Sequence, residues 1–126
     1  MTGQDVFRRA CAFLMESPGL DRDFSAHALE LINALIAEAI PYQNSRNRAL
    51  GREPIASAPL RSLEDSIALD APICEVALPF GLAAYFFQDE VEPYQAELYR
   101  SRFQQALANA RMAAELPLED RYGGTC

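Results

Sequence analysis

From residue 70 to residue 87 the chain reads Asp70-Ala-Pro-Ile-Cys-Glu-Val-Ala-Leu-Pro-Phe-Gly-Leu-Ala-Ala-Tyr-Phe-Phe87. Its apolar residues, from Ile73 through Leu78 and Leu82 to Phe87, point in nearly every direction around a helix axis. A helix that is apolar all round is buried. This stretch therefore predicts a helix over about 71–88 at the core of the domain or of an assembly. Asp70 is its expected cap, and Pro72 falls in the first turn, where a missing N–H costs nothing. Pro79 removes one intrahelical bond and should bend the helix. Gly81 allows another backbone to come close.

On the C-terminal side, Gln88-Asp-Glu-Val-Glu-Pro-Tyr94 reads as an acidic turn. Pro93 opens a further helix over about 93–114, whose stripe is Tyr99, Phe103, Ala106, Leu107, Ala110 and Ala114. Residues 115–126 read as a non-helical tail, with Leu116, Leu118 and Tyr122 as apolar handles. On the N-terminal side, residues 42–69 lose helical periodicity and collect turn formers such as Asn44, Asn47, Gly51, Pro54 and Pro59. Ile55, Leu60, Leu63, Ile67 and Leu69 are spaced like short extended pieces or a weak hairpin. A structureless connection of roughly 15–25 residues is unusual inside a compact domain, so packing on a neighbouring molecule is expected for it.

Two helices precede that segment. Thr2 with Asp5 three residues on forms a capping-box pattern, and Val6, Phe7, Ala10, Phe13 and Leu14 recur at helical spacing over about 3–16. Pro18-Gly19 stops that helix. Asp23 can cap a second helix over about 24–40, with a stripe from Phe24 to Ile40 and with Glu30, Asn33 and Glu38 on the other side. Pro41 ends or kinks it, although residues 42–50 could add two turns. The fold expected is mostly α: a four-helix subunit with a long extended or weakly β middle segment and a non-helical tail.

One domain fits 126 residues. Half the residues are hydrophobic and the net charge is −7, with a pI near 4.6, which argues against a protein that wraps nucleic acid with a basic face. Residues 1–63 are neutral overall, so residues 64–126 carry the whole −7. All eleven basic residues are arginine. The longest apolar stretch, Val76–Phe87, is too short to span a bilayer and is interrupted by Pro79 and Gly81. The first residues lack a basic, apolar leader pattern, and a soluble, reduced, intracellular setting is expected.

Chemistry is hard to find. Cys11, Cys74 and Cys126 form no CxxC pair, and His27 is the single histidine, so neither a disulfide framework nor a zinc signature is present. Cys11 and Cys74 lie on apolar stretches, where a thiolate is destabilised rather than activated. No GxSxG, P-loop, HExxH or GxGxxG occurs. Carboxylate pairs such as Glu64-Asp65 and Asp89-Glu90 read as solvated turn charge. Neither catalysis nor a cofactor nor a metal is expected.

Three stretches do carry a resemblance. Pro59-Leu-Arg-Ser-Leu-Glu-Asp-Ser-Ile-Ala-Leu69, Ala77-Leu-Pro-Phe-Gly-Leu-Ala-Ala-Tyr-Phe-Phe87 and Tyr99-Arg-Ser-Arg-Phe-Gln-Gln-Ala-Leu107 resemble the small head–tail connector proteins, also called adaptor or head-completion proteins, of tailed bacteriophages and prophages. With Leu31-Ile-Asn-Ala-Leu-Ile-Ala-Glu-Ala39 the likeness covers about residues 24–114. Its motifs are structural, not catalytic.

The resemblance implies a virion protein forming a homo-oligomeric ring at the neck of the particle. There it would meet the portal protein and other neck or tail-completion proteins, and line a channel that DNA passes through without specific binding. On that footing Arg46, Arg48 and Arg52 are the expected docking patch, with Leu116, Leu118 and Tyr122 as handles for a neighbour. Asp89, Glu90 and Glu92 are the expected acidic channel lining, repelling phosphates at short range. Two other readings are a helical regulatory adaptor that pairs through the third helix, and a ligand-binding bundle with a pocket of Phe80, Tyr85, Phe86 and Phe87.

Overall fold

A computed structural model of the chain describes residues 1–14, 22–57 and 59–115, with the side chains of residues 22–25 excepted. Helix α1 is Gly3–Phe13, α2 is Arg22–Ala49, α3 is Leu78–Asp89 and α4 is Pro93–Glu115. A π-helical segment, Pro72–Ala77, leads directly into α3. The chain is mostly helical, and the described residues contain no strand. The tail handles Leu116, Leu118 and Tyr122 lie outside the described residues.

Helix α1 starts where local chemistry dictates. The Thr2 hydroxyl accepts the Asp5 N–H at 3.2 Å, and the Asp5 carboxylate accepts the Thr2 N–H at 3.0 Å. The next unpaired donors of its first turn are satisfied by the middle segment: Gln4 N–H reaches the Leu63 carbonyl at 2.8 Å and Gly3 N–H that of Asp65 at 3.3 Å.

Helix α2 does not stop at Pro41. It is already helical at Arg22, ahead of the expected Asp23 cap, and continues to Ala49. Pro41 and Ala37, the residue whose carbonyl loses its donor, both lie on the exposed face. That carbonyl is open to solvent, and the proline is tolerated there. The helix ends at Gly51, whose φ is +74°. Arg52 N–H bonds the Asn47 carbonyl at 2.7 Å and Gly51 N–H bonds that of Arg48 at 3.3 Å, the pairing of a Schellman cap that favours glycine at this position.

The middle segment packs on its own chain. No hairpin is found among the described residues, only an isolated antiparallel bridge between Thr2 and Ser66. Leu60, Ile67 and Leu69 are buried in the core. Two asparagines of α2 hold the backbone as a second peptide would. Asn33 accepts the Leu60 N–H at 2.7 Å and donates to its carbonyl at 3.0 Å. Asn44 does the same for Ile55, at 2.8 and 3.0 Å. These two asparagines are three helical turns apart, about 16.5 Å at 1.5 Å per residue. The two clamps hold Ile55 and Leu60 at separate points along α2. At these two points the course of the middle segment is therefore set by α2. Asn33 is not a solvent-face residue, as its period suggests, but a clamp.

An expected result follows. Asn33→Ala leaves the N–H and carbonyl of buried Leu60 without partners, at a cost of about 1–3 kcal/mol. Denaturant titration with amide exchange should show lost protection at Leu60 and retained protection at Ile55. Equal loss at both would contradict independent clamps.

The core gathers on the stretch from 73 to 86. Ile73, Leu78 and Leu82 are fully buried among α1, α2 and α4, joined by Ile32, Leu35 and Phe103. The third helix is thus covered by its own chain and offers no bare face for pairing, apart from half-exposed Val76.

Proline chemistry explains the π-helical turns. Leu78 N–H reaches back five residues to the Ile73 carbonyl. Pro79 has no N–H for the Glu75 carbonyl, which instead accepts Arg9 Nη1 at 2.9 Å.

Candidate functional site

Two groups of charged residues bear on the expected sites, one around the start of the π-helical segment and one at the turn between α3 and α4; elsewhere Arg100 of α4 pairs with Glu38 of α2. Asp70 organises the first. Its backbone carbonyl accepts Ile73 and Cys74 N–H groups at 2.9 and 3.0 Å, but its side chain caps nothing, contrary to expectation. The carboxylate instead accepts Arg46 Nε at 2.8 Å and Arg52 Nη2 at 2.6 Å. Arg46 also donates to the Ala110 carbonyl of α4, and Gln43 accepts the Asp70 N–H at 2.8 Å. Gln43 in turn donates to Asn47, whose amide reaches the Glu53 carbonyl at 3.0 Å.

This network joins α2, the middle segment and α4 through one carboxylate. The Arg46 side chain is 12 % exposed and that of Asp70 20 %. The Arg52 and Arg46 guanidiniums hold the Asp70 carboxyl well below the usual carboxylate range, against the opposing effect of burial. Of the three arginines expected to form a docking patch, Arg46 and Arg52 converge on Asp70, while Arg48 stands exposed on the last turn of α2.

Beside this hub, Arg8 and Arg9 edge a cleft of about 640 Å³ between α1 and the π-helical segment, with Ile67, Leu69 and Cys74 in its walls. Arg8 meets Asp5 and Arg9 meets Glu75, each at 3.5 Å and largely exposed. Exposed pairs of that kind contribute about 0–1 kcal/mol. Cys74 is buried, and burial pushes its thiol up, away from the reactive thiolate.

The α3–α4 turn forms the other end of the bundle. Asp89, Glu90 and Glu92, the expected channel-facing acids, are all exposed there, as is Glu97. The ion pairs of the described residues leave these four carboxylates out. Between them Val91 has a φ of +56° and is 82 % exposed, and Tyr94 is 78 % exposed. A β-branched residue in the left-handed region is strained. The nearby cleft of about 480 Å³ has Gly81, Ala84 and Ala96 in its walls and Tyr85, Gln88 and Glu97 among its polar groups.

The aromatics Phe80, Tyr85, Phe86 and Phe87 do not share one pocket: Tyr85 lines the cleft beside the turn, and Phe80 lines another against α4. Phe13 stacks on Phe80 with centroids 5.0 Å apart, Phe87 stacks on Tyr99 at 5.3 Å, and Phe86 meets Phe87 edge-on at 6.0 Å. Arg102 covers the Tyr99 ring at 4.9 Å. These rings fasten α1, α3 and α4 together.

Among the described residues, no group of three or more His, Cys, Asp or Glu could hold a metal ion. No helix among them is long and apolar enough to cross a membrane. His27 is exposed on α2. Sequence periodicity missed the amides Asn33, Gln43, Asn44 and Asn47. Their one readable signal was the spacing of 33 and 44, which repeats one helix face. No family model, curated protein or solved structure matches this chain.

Proposed function

We propose that this chain is a structural subunit of a tailed phage-like particle: a head–tail connector that joins portal to tail by docking and performs no chemistry. The observation that carries the reading is where the resembling residues sit. Ile67 and Leu69, Ala77 to Phe86, and Phe103 with Leu107 are the residues whose packing sets the bundle. The likeness therefore lies in the residues that determine shape, and shape is what a connector supplies.

The polar groups support the same reading by what they do. Asn33, Asn44, Gln43, Arg46 and Asp70 all serve to fasten one part of the chain to another. None of them faces a cleft with a reacting partner. In this reading copies of the subunit form a ring against the portal and a further neck or tail-completion protein, and DNA passes without specific contact. The adaptor that pairs through its third helix loses its basis, because α3 is covered within the chain.

Disrupting the gene in the genome that encodes it tests the reading. DNA-filled heads and separate tails should accumulate, and supplying the chain in trans should restore joined particles. Joined particles in normal yield without the chain would overturn the reading.

A further inference from the structure

We propose that residues 116–122 of one copy lie extended in the groove between α4 and the π-segment/α3 run of a second copy, with the Asp120 carboxylate on the Arg102 guanidinium. The inference rests on the connector reading above and names the contact through which its ring would form. The groove, of about 550 Å³, has Pro72, Val76 and Phe80 on one side and Ala106 and Ala113 on the other. It is an open apolar seat: Val76 and Ala113 are exposed, and exposed Phe13 stacks on Phe80 at 5.0 Å. The single charge among its described lining residues is that of Arg102, and no carboxylate joins it. Arg102 lies over the Tyr99 ring and enters no ion pair of the described residues. In the other two clefts each arginine already has a carboxylate: Asp5 for Arg8, Glu75 for Arg9 and Glu38 for Arg100.

The occupant is argued from its pattern and its reach. In an extended chain alternate residues share a face. Leu116, Leu118, Asp120 and Tyr122 then lie on one side, and Pro117, Glu119 and Arg121 on the other. One face thus offers three apolar groups and a single carboxylate to an apolar groove with a single cation. Residues 116–122 extend over about 20 Å, enough to cover the stretch of α4 from Arg102 to Ala113, about 16 Å long.

The segment cannot reach this register on its own chain. Helix α4 ends at Glu115, and Asp120 follows at most about 18 Å along an extended chain. Arg102 lies about 20 Å back along the helix from Glu115, and its head group points further off, over Tyr99. A reversal uses up part of that reach. Pro117 also holds Leu116 to extended backbone, and the first glycine after α4 that could turn the chain back is Gly123. A second copy therefore supplies the segment. Each copy then gives one segment and accepts one, a heterologous contact that closes into a ring when the rotation allows.

Sedimentation velocity of the full chain tests this. The wild-type chain should self-associate, less so in high salt. Asp120→Arg should weaken association by about tenfold or more, whereas Glu119→Arg, the same charge change on the opposite face, should leave it unchanged. Arg102→Glu should weaken it as Asp120→Arg does, with unchanged circular dichroism, and the chain carrying both substitutions should associate again.

Leu118→Asp provides a second arm, in which association is lost through the apolar seat. Residues 118 and 120 lie outside the four helices, so both arms stand whatever Arg102→Glu does to α4. A wild-type chain that stays monomeric overturns the proposal. So does association that Glu119→Arg weakens as much as Asp120→Arg, or that the double variant fails to restore. Association through another surface would sink this contact and leave the connector reading standing. Normal particle yield without the gene would sink the connector reading whatever the sedimentation result.

Discussion

Asp70→Asn should lower stability by about 2–3 kcal/mol at neutral pH, and the deficit should shrink as the solution is acidified. Asparagine preserves the shape of the hub and can still accept from the two guanidiniums. What it removes is the countercharge of Arg46, a side chain only 12 % exposed. Removing one partner of a fully buried ion pair costs about 3–5 kcal/mol. The Asp70 side chain keeps 20 % exposure, and Arg52 remains 46 % exposed, so the cost falls at or somewhat below the lower end of that range.

The pH dependence has a definite sign. The arginines depress the Asp70 pKa in the folded state, so its contribution is fully present above the unfolded carboxylate value of about 3.9. It is lost as the pH falls below that value, because the unfolded chain then binds the proton more readily. Denaturant titrations at neutral pH and through the acid range should show the wild-type and Asp70→Asn curves converging on the acid side. Parallel curves would mean that the hub contributes no net electrostatic stability. Arg52→Ala should cost far less, since its head group is half in water.

Phe103→Ala carries the larger effect, about 3–5 kcal/mol. Phe103 is 1 % exposed and heads the fully buried side chains by size. It presses α4 against α3 at Gly81, where a Cβ would lie 2.9 Å from Phe103 Cδ1 and 2.6 Å from Leu35 Cδ2. A loss of that size is a large part of the total stability of a domain, about 5–15 kcal/mol.

The close approach at Gly81 gives the prediction a second, sharper form. In the wild type, Gly81→Ala must displace Leu35 and Phe103, at about 1–3 kcal/mol, against a helix-propensity gain of about 1 kcal/mol. With Phe103→Leu already present, one of the two clashes is relieved while Leu35 Cδ2 still lies 2.6 Å from the new methyl, so Gly81→Ala should cost less than in the wild type. A double-mutant cycle should therefore show coupling of about 1 kcal/mol or more. Strict additivity would mean that the glycine is not retained for this contact.

These sites also show which parts of the molecule were legible in the sequence. The Thr2–Asp5 capping box depends on residues three apart, and the all-round apolar pattern from Ile73 to Phe87 reports burial directly; both read correctly. Pro41 misled because its effect depends on which way the ring faces, and it faces water. Asp70 resembled a local cap, yet its carboxylate is taken by Arg46 and Arg52, 24 and 18 residues away. Asn33 fell among Glu30 and Glu38 by period, although its amide clamps Leu60. Long-range hydrogen bonds of this kind leave no periodicity.

The same limit applied to the middle segment and the candidate site. Extended chain was expected over 42–69, but its partner proved to be α2 of the same molecule, so apolar residues in a long connection did not signal a neighbouring one. Exposure of Asp89, Glu90 and Glu92 followed from their turn context. The strained Val91 between them did not, because φ is set by how α3 and α4 meet.

Cryo-electron microscopy of the neck of particles purified from the organism that encodes the chain tests the central claim most directly. The account predicts density for a ring of these four-helix subunits between portal and tail. Joined particles with no copy of the chain at that vertex would contradict it.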